Sequence, residues 1–221
     1  MFIGHYAVGF IGKKIDKRPS LGTLFLAVQW LDLIWPLLVF AGIERFSIQP
    51  GNTRLTPLNF EFYPWSHSML MALVWAVLFG LIYGIISKNR KGAILLFILV
   101  FSHWVLDWLT HRPDLQLSPF SEMRVGLGLW NHAVTEIVLE TALFVAGIYF
   151  YISVTKTINK AGQWAFWALV IFLLLIHFMN LLGPPPPDSN TVAWMALSQW
   201  LLVGWGYWID RNRIEKKKAA P

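Results

Sequence analysis

The sequence predicts an all-α membrane protein, a polytopic helical bundle in which residues 1–221 form one domain. Hydrophobic residues make up 56% of the chain and charged residues only 14%, whereas soluble proteins carry roughly 25% charged residues. The apolar residues also form runs of about 20, the length that a helix needs to cross the hydrocarbon core. We therefore expect lipid, rather than water, around most of the surface.

Six apolar runs are the candidate membrane spans, and the last is weaker than the others. They are residues 21–43, 68–87, 92–110, 130–154, 163–183 and 191–209. Pro36 is expected to kink the first span. Residues 1–12 are apolar but too short to cross the membrane. They predict a short N-terminal helix that either lies along the interface or rises part-way into the bundle.

Basic residues alternate from loop to loop. They cluster before the first span and after the second, fourth and sixth, at residues 13–18, 88–91, 156–160 and 211–218. Because basic loops tend to stay in the cytoplasm, both termini are expected there, with residues 210–221 as a solvated tail. The formal net charge of +6 belongs to these loops, so nucleic acid is not expected as a partner.

Ionisable residues in the spans are the candidate functional groups, because each costs roughly 2.5–3.5 kcal/mol to insert into a membrane. Asp32 lies in the first span, and His67 directly precedes the second. The third and fourth spans each carry a trio at four-residue spacing, which places each trio on one helix face. The trios are His103, Asp107 and His111, and His132, Glu136 and Glu140.

Imidazole and carboxylate groups suit Zn²⁺, with Mn²⁺ or Fe as alternatives, and the absence of cysteine excludes thiolate sites. The helical rise places Asp32, His67 and the two trios in the outer half of the membrane. His5 reaches that level only if residues 1–12 rise into the bundle. A bound metal lowers the pKa of water to near 7, so the pattern indicates hydrolysis.

Other interpretations remain open. A metal-ion or proton-coupled transporter also carries His, Asp and Glu inside the membrane, but it needs access from both sides. A scaffold protein would not need these His and carboxylate trios on its helix faces. An ordinary hydrogen-bond network is the simpler interpretation of His177 in the fifth span. The simpler interpretation of Ser66 is a helix cap. The simpler interpretation of Arg112 and Arg124 is that they are surface residues of a loop.

The order of these residues resembles that of the bacterial inner-membrane metal-dependent hydrolases, the YdjM-like family. The resemblance rests on the early His5, on His67-Ser68 at a helix start, and on Ser102-His103 with Asp107. That family is similar in turn to the soluble zinc-dependent phospholipase C and fungal single-strand nuclease group. The ligands of that group correspond in order to His5, Asp32, His67, His103, Asp107, His111, His132 and Glu136.

The resemblance implies two or three zinc ions. Asp32, His67, His103 and Asp107 would hold one ion, and His111, His132 and Glu136 a second, with Asp107 bridging towards a third near His5. We expect Asp32, Glu136 and Arg112 to be catalytic, and Arg112 and Arg124 to bind phosphate.

The implied reaction is hydrolysis of a phosphomonoester or phosphodiester in a membrane lipid or a lipid-linked substrate. Residues 21–155 would then build the site, and residues 163–209 would form accessory helices around a lipid entrance. The implied location is the bacterial inner membrane.

Overall fold

The structure, a computed structural model, describes residues 1–216 and is mainly helical, as the sequence predicts. The helices are α1 (Ile3–Ile15), α2 (Leu21–Val28), α3 (Trp30–Phe40), α4 (Pro64–His67), α5 (Met69–Ser87), α6 (Arg90–Thr110), α7 (Ala133–Val154), α8 (Lys160–Leu182), α9 (Ser189–Leu197) and α10 (Gln199–Arg211). Within residues 1–216, α5, α6, α7 and α8 are each long and apolar enough to cross a membrane. The pair α2 and α3 makes a bent fifth candidate. The protein is thus an all-α membrane protein.

The first span is broken at Gln29, earlier than the kink expected at Pro36. Helices α2 and α3 meet there at a bend of 56°, whereas Pro36 lies inside α3. The break frees the backbone carbonyl of Val28, which accepts a hydrogen bond of 2.6 Å from Nδ1 of His103. The Gln29 side chain donates to Oε1 of Gln199, 3.1 Å away. The bend therefore has side-chain partners on two other helices.

The predicted sixth span is wrong as a single helix. It consists of α9 and α10, which are separated at Ser198 and are each too short to cross a membrane. Helix α9 packs on α3, and α10 packs on α2. The second contact is close, because a Cβ atom added to Gly206 would lie 2.9 Å from Cα of Gly22. The two short helices thus follow the two halves of the broken first span.

Helix α1 lies inside the bundle, so the interfacial alternative for residues 1–12 is wrong. Its residues Ile3, Tyr6 and Phe10 are fully buried in the core. It packs mainly on α7, where a Cβ atom added to Gly147 would lie 2.7 Å from the carbonyl oxygen of Ala7. Consequently the amino group of Met1 lies 3.5 Å from Asp107 on α6, in agreement with the alternative of a segment that rises into the bundle.

Three short antiparallel strand pairs lie between the helices. They are β1 (Arg45–Ile48) with β2 (Leu58–Phe62), β3 (Leu115–Gln116) with β4 (Arg124–Val125), and β5 (Thr155–Thr157) with β6 (Arg213–Glu215). The β5–β6 pair, whose strands are separated in sequence by α8, α9 and α10, corrects the expectation of a solvated tail. It docks the chain after α10 onto the end of α7, and Asp210 pairs with Lys13 at 3.1 Å. Residues 217–221, also assigned to that tail, lie outside the described residues.

Candidate metal centre

The centre forms around the buried carboxylate of Asp107 on α6. Its Oδ2 lies 3.1 Å from Nε2 of His103 and 3.8 Å from Nε2 of His67. Its Oδ1 lies 3.1 Å from Nε2 of His5 and 4.0 Å from Nε2 of His111. The two oxygens of one carboxylate thus face two different sets of imidazoles. A carboxylate in this position can bridge two cations.

Asp32 completes the set on the Oδ2 side. Its Oδ1 lies 3.3 Å from Nε2 of His67 and 3.7 Å from Nε2 of His103. The Asp32 side chain is 28% exposed, whereas those of both histidines are almost fully buried. The centre therefore opens to its surroundings through Asp32, just after the break in the first span.

His103 has its ring orientation fixed by the broken span. A carbonyl oxygen only accepts hydrogen bonds, so Nδ1 must carry the proton that it donates to Val28. In the neutral ring, Nε2 then presents a lone pair, and this buried atom has no hydrogen-bond partner among the described residues. The ring also stacks on that of His5, with centroids 3.7 Å apart. His103 is thus positioned as a ligand.

His67 is oriented through a chain of two further side chains. Oγ of Ser66 lies 2.7 Å from Nδ1 of His67 and donates to Oε2 of Glu44, 2.6 Å away. Glu44 also accepts from the backbone N–H of Ser66. Because the serine hydroxyl donates its hydrogen bond to Glu44, Oγ accepts one from Nδ1 of His67. In the neutral ring, Nε2 of His67 then carries no proton. Burial raises the pKa of Glu44, and the hydrogen bonds from Ser66 act in the opposite direction.

His111 has a carboxylate partner of the same kind. Its Nδ1 lies 2.9 Å from Oδ1 of Asp114, which also accepts a hydrogen bond of 2.7 Å from the hydroxyl of Tyr63. Histidines that bind metals usually donate their second nitrogen to a carboxylate or a carbonyl. His67, His103 and His111 therefore each have such a partner, direct or through a serine.

The first turn of α1 closes the centre on the Oδ1 side. The amino group of Met1 lies 3.5 Å from Oδ1 of Asp107 and 3.4 Å from Oγ1 of Thr110. The backbone N–H of Gly4 donates to Oε1 of Glu140, 2.9 Å away. The second ring nitrogen of His5, Nδ1, is buried and has no hydrogen-bond partner among the described residues.

Six of the eight ligands expected from sequence come together around Asp107, and two do not. His132 is exposed and lies before the first residue of α7, so it contributes nothing to the centre. Glu136 is buried on α7, but within residues 1–216 its Oε1 has no hydrogen-bond partner and it belongs to neither ligand set. Glu140 lies one turn further along and pairs with His177 at 3.7 Å. His177 is thus a buried side chain outside the ligand sets.

The two arginines lie beside the centre, in the segment that follows α6. Arg112 donates to Asp114, the partner of His111, and to the side chain of Asn59 on β2. Arg124 is exposed and donates to the backbone carbonyl of Glu61. Arg112 thus contacts Asp114, the partner of the candidate ligand His111, whereas the Arg124 side chain donates to the β1–β2 hairpin.

Sequence reasoning missed the groups that orient the ligands. Glu44 and Asp114 lie in polar loops between spans, where isolated carboxylates are common. Asp114 lies shortly after His111, and this spacing was the available signal, whereas Glu44 is distant in sequence from His67 and gave none. The role of the Val28 carbonyl could not be predicted from the sequence, because every residue has a backbone carbonyl.

The donor set fits a metal ion. Within residues 1–216, two sets of three ligand atoms lie within 4.8 Å of one another. His103 belongs to both sets, which are His5, His103 and Asp107, and Asp32, His67 and His103. Imidazole nitrogen and carboxylate oxygen are the ligands that Zn²⁺ takes where no thiolate is present. The orphaned Nε2 of His103 faces this donor set.

Part of the centre lies in a segment that is similar to a known family. Residues 64–183 match the family model described as YdjM inner membrane protein. The chain belongs to this family. The matched segment contains His67, His103, Asp107 and His111, whereas His5 and Asp32 precede it. The family's description agrees with the expected inner-membrane location. No curated protein and no solved structure matches the chain.

Proposed function

We propose that this YdjM-family protein is a metal-dependent hydrolase, a zinc phosphoesterase that acts on a lipid or lipid-linked phosphate at the outer half of the membrane. The observation that supports it best is the position of Asp107, whose Oδ2 lies 3.1 Å from Nε2 of His103 while its Oδ1 lies 3.1 Å from Nε2 of His5. Paired metal sites that share ligands recur in enzymes that cleave phosphate esters.

The charge balance inside the centre also favours a bound cation. Nε2 of His103 presents a lone pair to Oδ2 of Asp107 at 3.1 Å, and two acceptors repel at that distance. A positive charge between them, either a proton or a metal ion, removes the repulsion. His5 and His67 bring further nitrogens to the same carboxylate. Several imidazoles converging on one buried carboxylate favour a metal ion over a single proton.

The residues of the chain have separate tasks in this proposal. Asp32, His67, His103 and Asp107 would hold one metal ion, and His5 and His111 would hold a second, with Asp107 shared. When bound, such ions lower the pKa of water to near 7 and neutralise charge on a phosphate. Asp32, as the exposed member, is the residue placed to contact an entering substrate and to accept a proton.

Arg112 is the group best placed to bind the substrate's phosphate. It lies next to His111 in sequence, and its side chain remains 35% exposed beside Asp114. A guanidinium can donate two parallel hydrogen bonds to phosphate oxygens, which is why arginine often binds this group. Glu136 remains a candidate general base on the α7 side, since its Oε1 is buried and unpaired among the described residues.

A test of the function uses purified protein in lipid nanodiscs and measures phosphate released from lipid phosphomonoesters, and phosphorylated head groups released from phospholipids. We expect metal-dependent turnover in the wild type and at least a hundredfold loss in Asp32→Asn. Asp188→Asn is the matched control, because asparagine also caps helices and Asp188 is the N-cap of α9. A lack of turnover of any lipid phosphate by metal-loaded wild type would contradict the proposal.

The same preparation tests the alternative of a metal-ion or proton-coupled transporter. The centre favours an enzyme, because its candidate ligands gather around the single residue Asp107. Of the four residues on the Oδ2 side, only Asp32 has a partly exposed side chain. Reconstituted vesicles that accumulate zinc, without phosphate release, would support transport instead.

A further inference from the structure

A second site lies at the opposite end of the bundle from the metal centre. It is a cleft of about 520 Å³ between the end of α7, the start of α8 and the β5–β6 strand pair. Helix α1 connects the two ends, since His5 lies at the metal centre and Lys13 pairs with Asp210 near β6. At 1.5 Å per residue, these two α1 residues are about 12 Å apart along the helix axis. The cleft is therefore not part of the metal centre.

The cleft carries three cations and, among its described lining residues, no acid. The cations are Lys156 on β5, Arg213 on β6 and Lys216. Lys156 and Lys216 are exposed, and the ammonium of Lys216 is held 2.8 Å from the backbone carbonyl of Ile152. Within residues 1–216, neither lysine forms a salt bridge. The lining therefore has an unbalanced positive charge.

Arg213 is the strongest feature, because its side chain is buried and its hydrogen-bond partners among the described residues are all neutral. The residue is 8% exposed. Its guanidinium donates to Oγ1 of Thr155 at 3.0 Å and to the carbonyl of Gly162 at 3.3 Å, and it lies over the ring of Phe166. Asp210, whose charge acts to raise the pKa of Arg213, already pairs with Lys13. The larger effect is burial, which lowers the pKa of Arg213, as expected for a cation removed from water.

A buried guanidinium without an anionic partner is unfavourable, so an anion that enters the cleft would gain free energy there. The hydroxyl of Thr157 and the amide of Gln163 line the same space and can donate to an anion, whereas the Thr155 hydroxyl already donates to the carbonyl of Tyr151. Arginine with flanking lysines is the combination that recognises phosphate oxygens. The chemistry of the cleft thus fits a phosphate group.

The walls of the cleft indicate where that phosphate lies. Tyr149, Ile152 and Trp167 form its apolar side, and they face outwards from α7 and α8, the two membrane-spanning candidates. Tyr149 is 62% exposed and Trp167 is 42% exposed. Amphipathic aromatic rings at the end of a spanning helix are typical of the membrane interface, where lipid head groups lie. A phosphate in this cleft has an apolar surface beside it for an acyl chain.

We propose that this cleft binds an anionic phosphate group through Lys156, Arg213 and Lys216, independently of the metal centre. Two sources share this chemistry, the head group of an anionic phospholipid and free phosphate. Basic pockets between membrane helices are known to take lipid head groups. The apolar wall has no role for free phosphate, so the lipid is the source that uses the whole cleft.

Native mass spectrometry of the purified full-length protein tests the proposal, with phosphatidylglycerol and phosphatidylcholine offered in equal amounts. We expect selective retention of phosphatidylglycerol, reduced about fivefold in Lys156→Ala and in Lys216→Ala. Lys91→Ala is the matched control, since Lys91 is an exposed lysine at the start of α6, outside the cleft. Arg213→Gln should reduce retention further, but the exposed lysines carry the test because their loss leaves the fold intact.

Inorganic phosphate in millimolar excess distinguishes the two sources. Displacement of phosphatidylglycerol by phosphate supports a site that accepts either form, and retention despite phosphate supports a site built for the lipid. Asp32→Asn should retain phosphatidylglycerol normally, which separates this cleft from the metal centre whether or not the protein is a hydrolase. Equal retention by Lys156→Ala, Lys216→Ala and Lys91→Ala would overturn the proposal.

Discussion

Nε2 of His103 lies 3.1 Å from Oδ2 of Asp107, one helical turn further along α6, while Nδ1 of the same ring donates to the freed carbonyl of Val28. The break in the first span and the orientation of a candidate ligand are therefore one structural feature. A continuous helix would use the Val28 carbonyl in its own hydrogen bonds and leave Nδ1 without this partner. Irregular backbone at membrane depth is tolerated where it is buried in protein or lines a water-filled cavity.

The hydrogen bonds that orient His67 through Ser66 and Glu44 give the first prediction. Ser66→Ala should weaken metal binding by roughly 10- to 100-fold, because it disconnects Nδ1 of His67 from Glu44. The measurement is competition for zinc with a calibrated chelator. Ser102→Ala is the control, because Ser102 also precedes a ligand histidine but donates only to the carbonyl of Leu99. Equal zinc affinities in the two variants would show that the Glu44 chain does not support the site.

The packing of α1 on α7 gives the second prediction. Gly147→Ala should destabilise the protein by about 1–3 kcal/mol, because the new methyl group would lie 2.7 Å from the Ala7 carbonyl oxygen. Gly204→Ala on α10 is the control, since an added Cβ meets nothing within 4 Å there. Alanine in that helix should be neutral or stabilising by up to about 1 kcal/mol.

Thermal unfolding in detergent measures both glycine variants. A lower melting temperature in Gly147→Ala alone is the expected result. If both variants melt like the wild type, α1 is not packed against α7 in the folded protein.

The orientation in the membrane gives the third prediction. The basic loops predict that the α5–α6 connection is cytoplasmic and that the β1–β2 hairpin faces outwards. A cysteine at Lys91 should react with an impermeant maleimide only after the cells are opened, and one at Arg54 should react in intact cells. Both positions are exposed, whereas Asn89 in the same connection is buried and unsuitable for labelling. Labelling of Arg54→Cys only after opening would reverse the topology.

The long spans could be predicted because their signal is local. The runs at residues 68–87 and 92–110 correspond closely to α5 and α6, since about 20 apolar residues suffice to identify a spanning helix. The division of the first and sixth spans could not be predicted in this way. It depends on partners that are distant in sequence, such as His103 for Val28 and Gln199 for Gln29.

The candidate site was predictable where ligands share a regular helix. His103 and Asp107 lie one turn apart on α6, as their spacing predicts. His132 was misplaced because the predicted helix began too early. A short 3-10 turn at Leu129–Asn131 precedes α7, so His132 has non-helical backbone angles and does not continue the face that carries Glu136. The burial of α1 depends on packing against α7, which no local pattern reveals.

The central claim is that the buried His and Asp cluster holds metal, and the metal content of the purified protein tests it most directly. Elemental analysis of wild-type protein should find zinc at about two ions per chain, the number that a bridging Asp107 implies. His103→Ala should lose it, whereas His177→Ala, which removes a buried histidine outside the ligand sets, should retain it. Both variants must elute as single species, so that loss of fold is excluded. Full zinc occupancy in folded His103→Ala, or a wild type without any bound transition metal, would contradict the account.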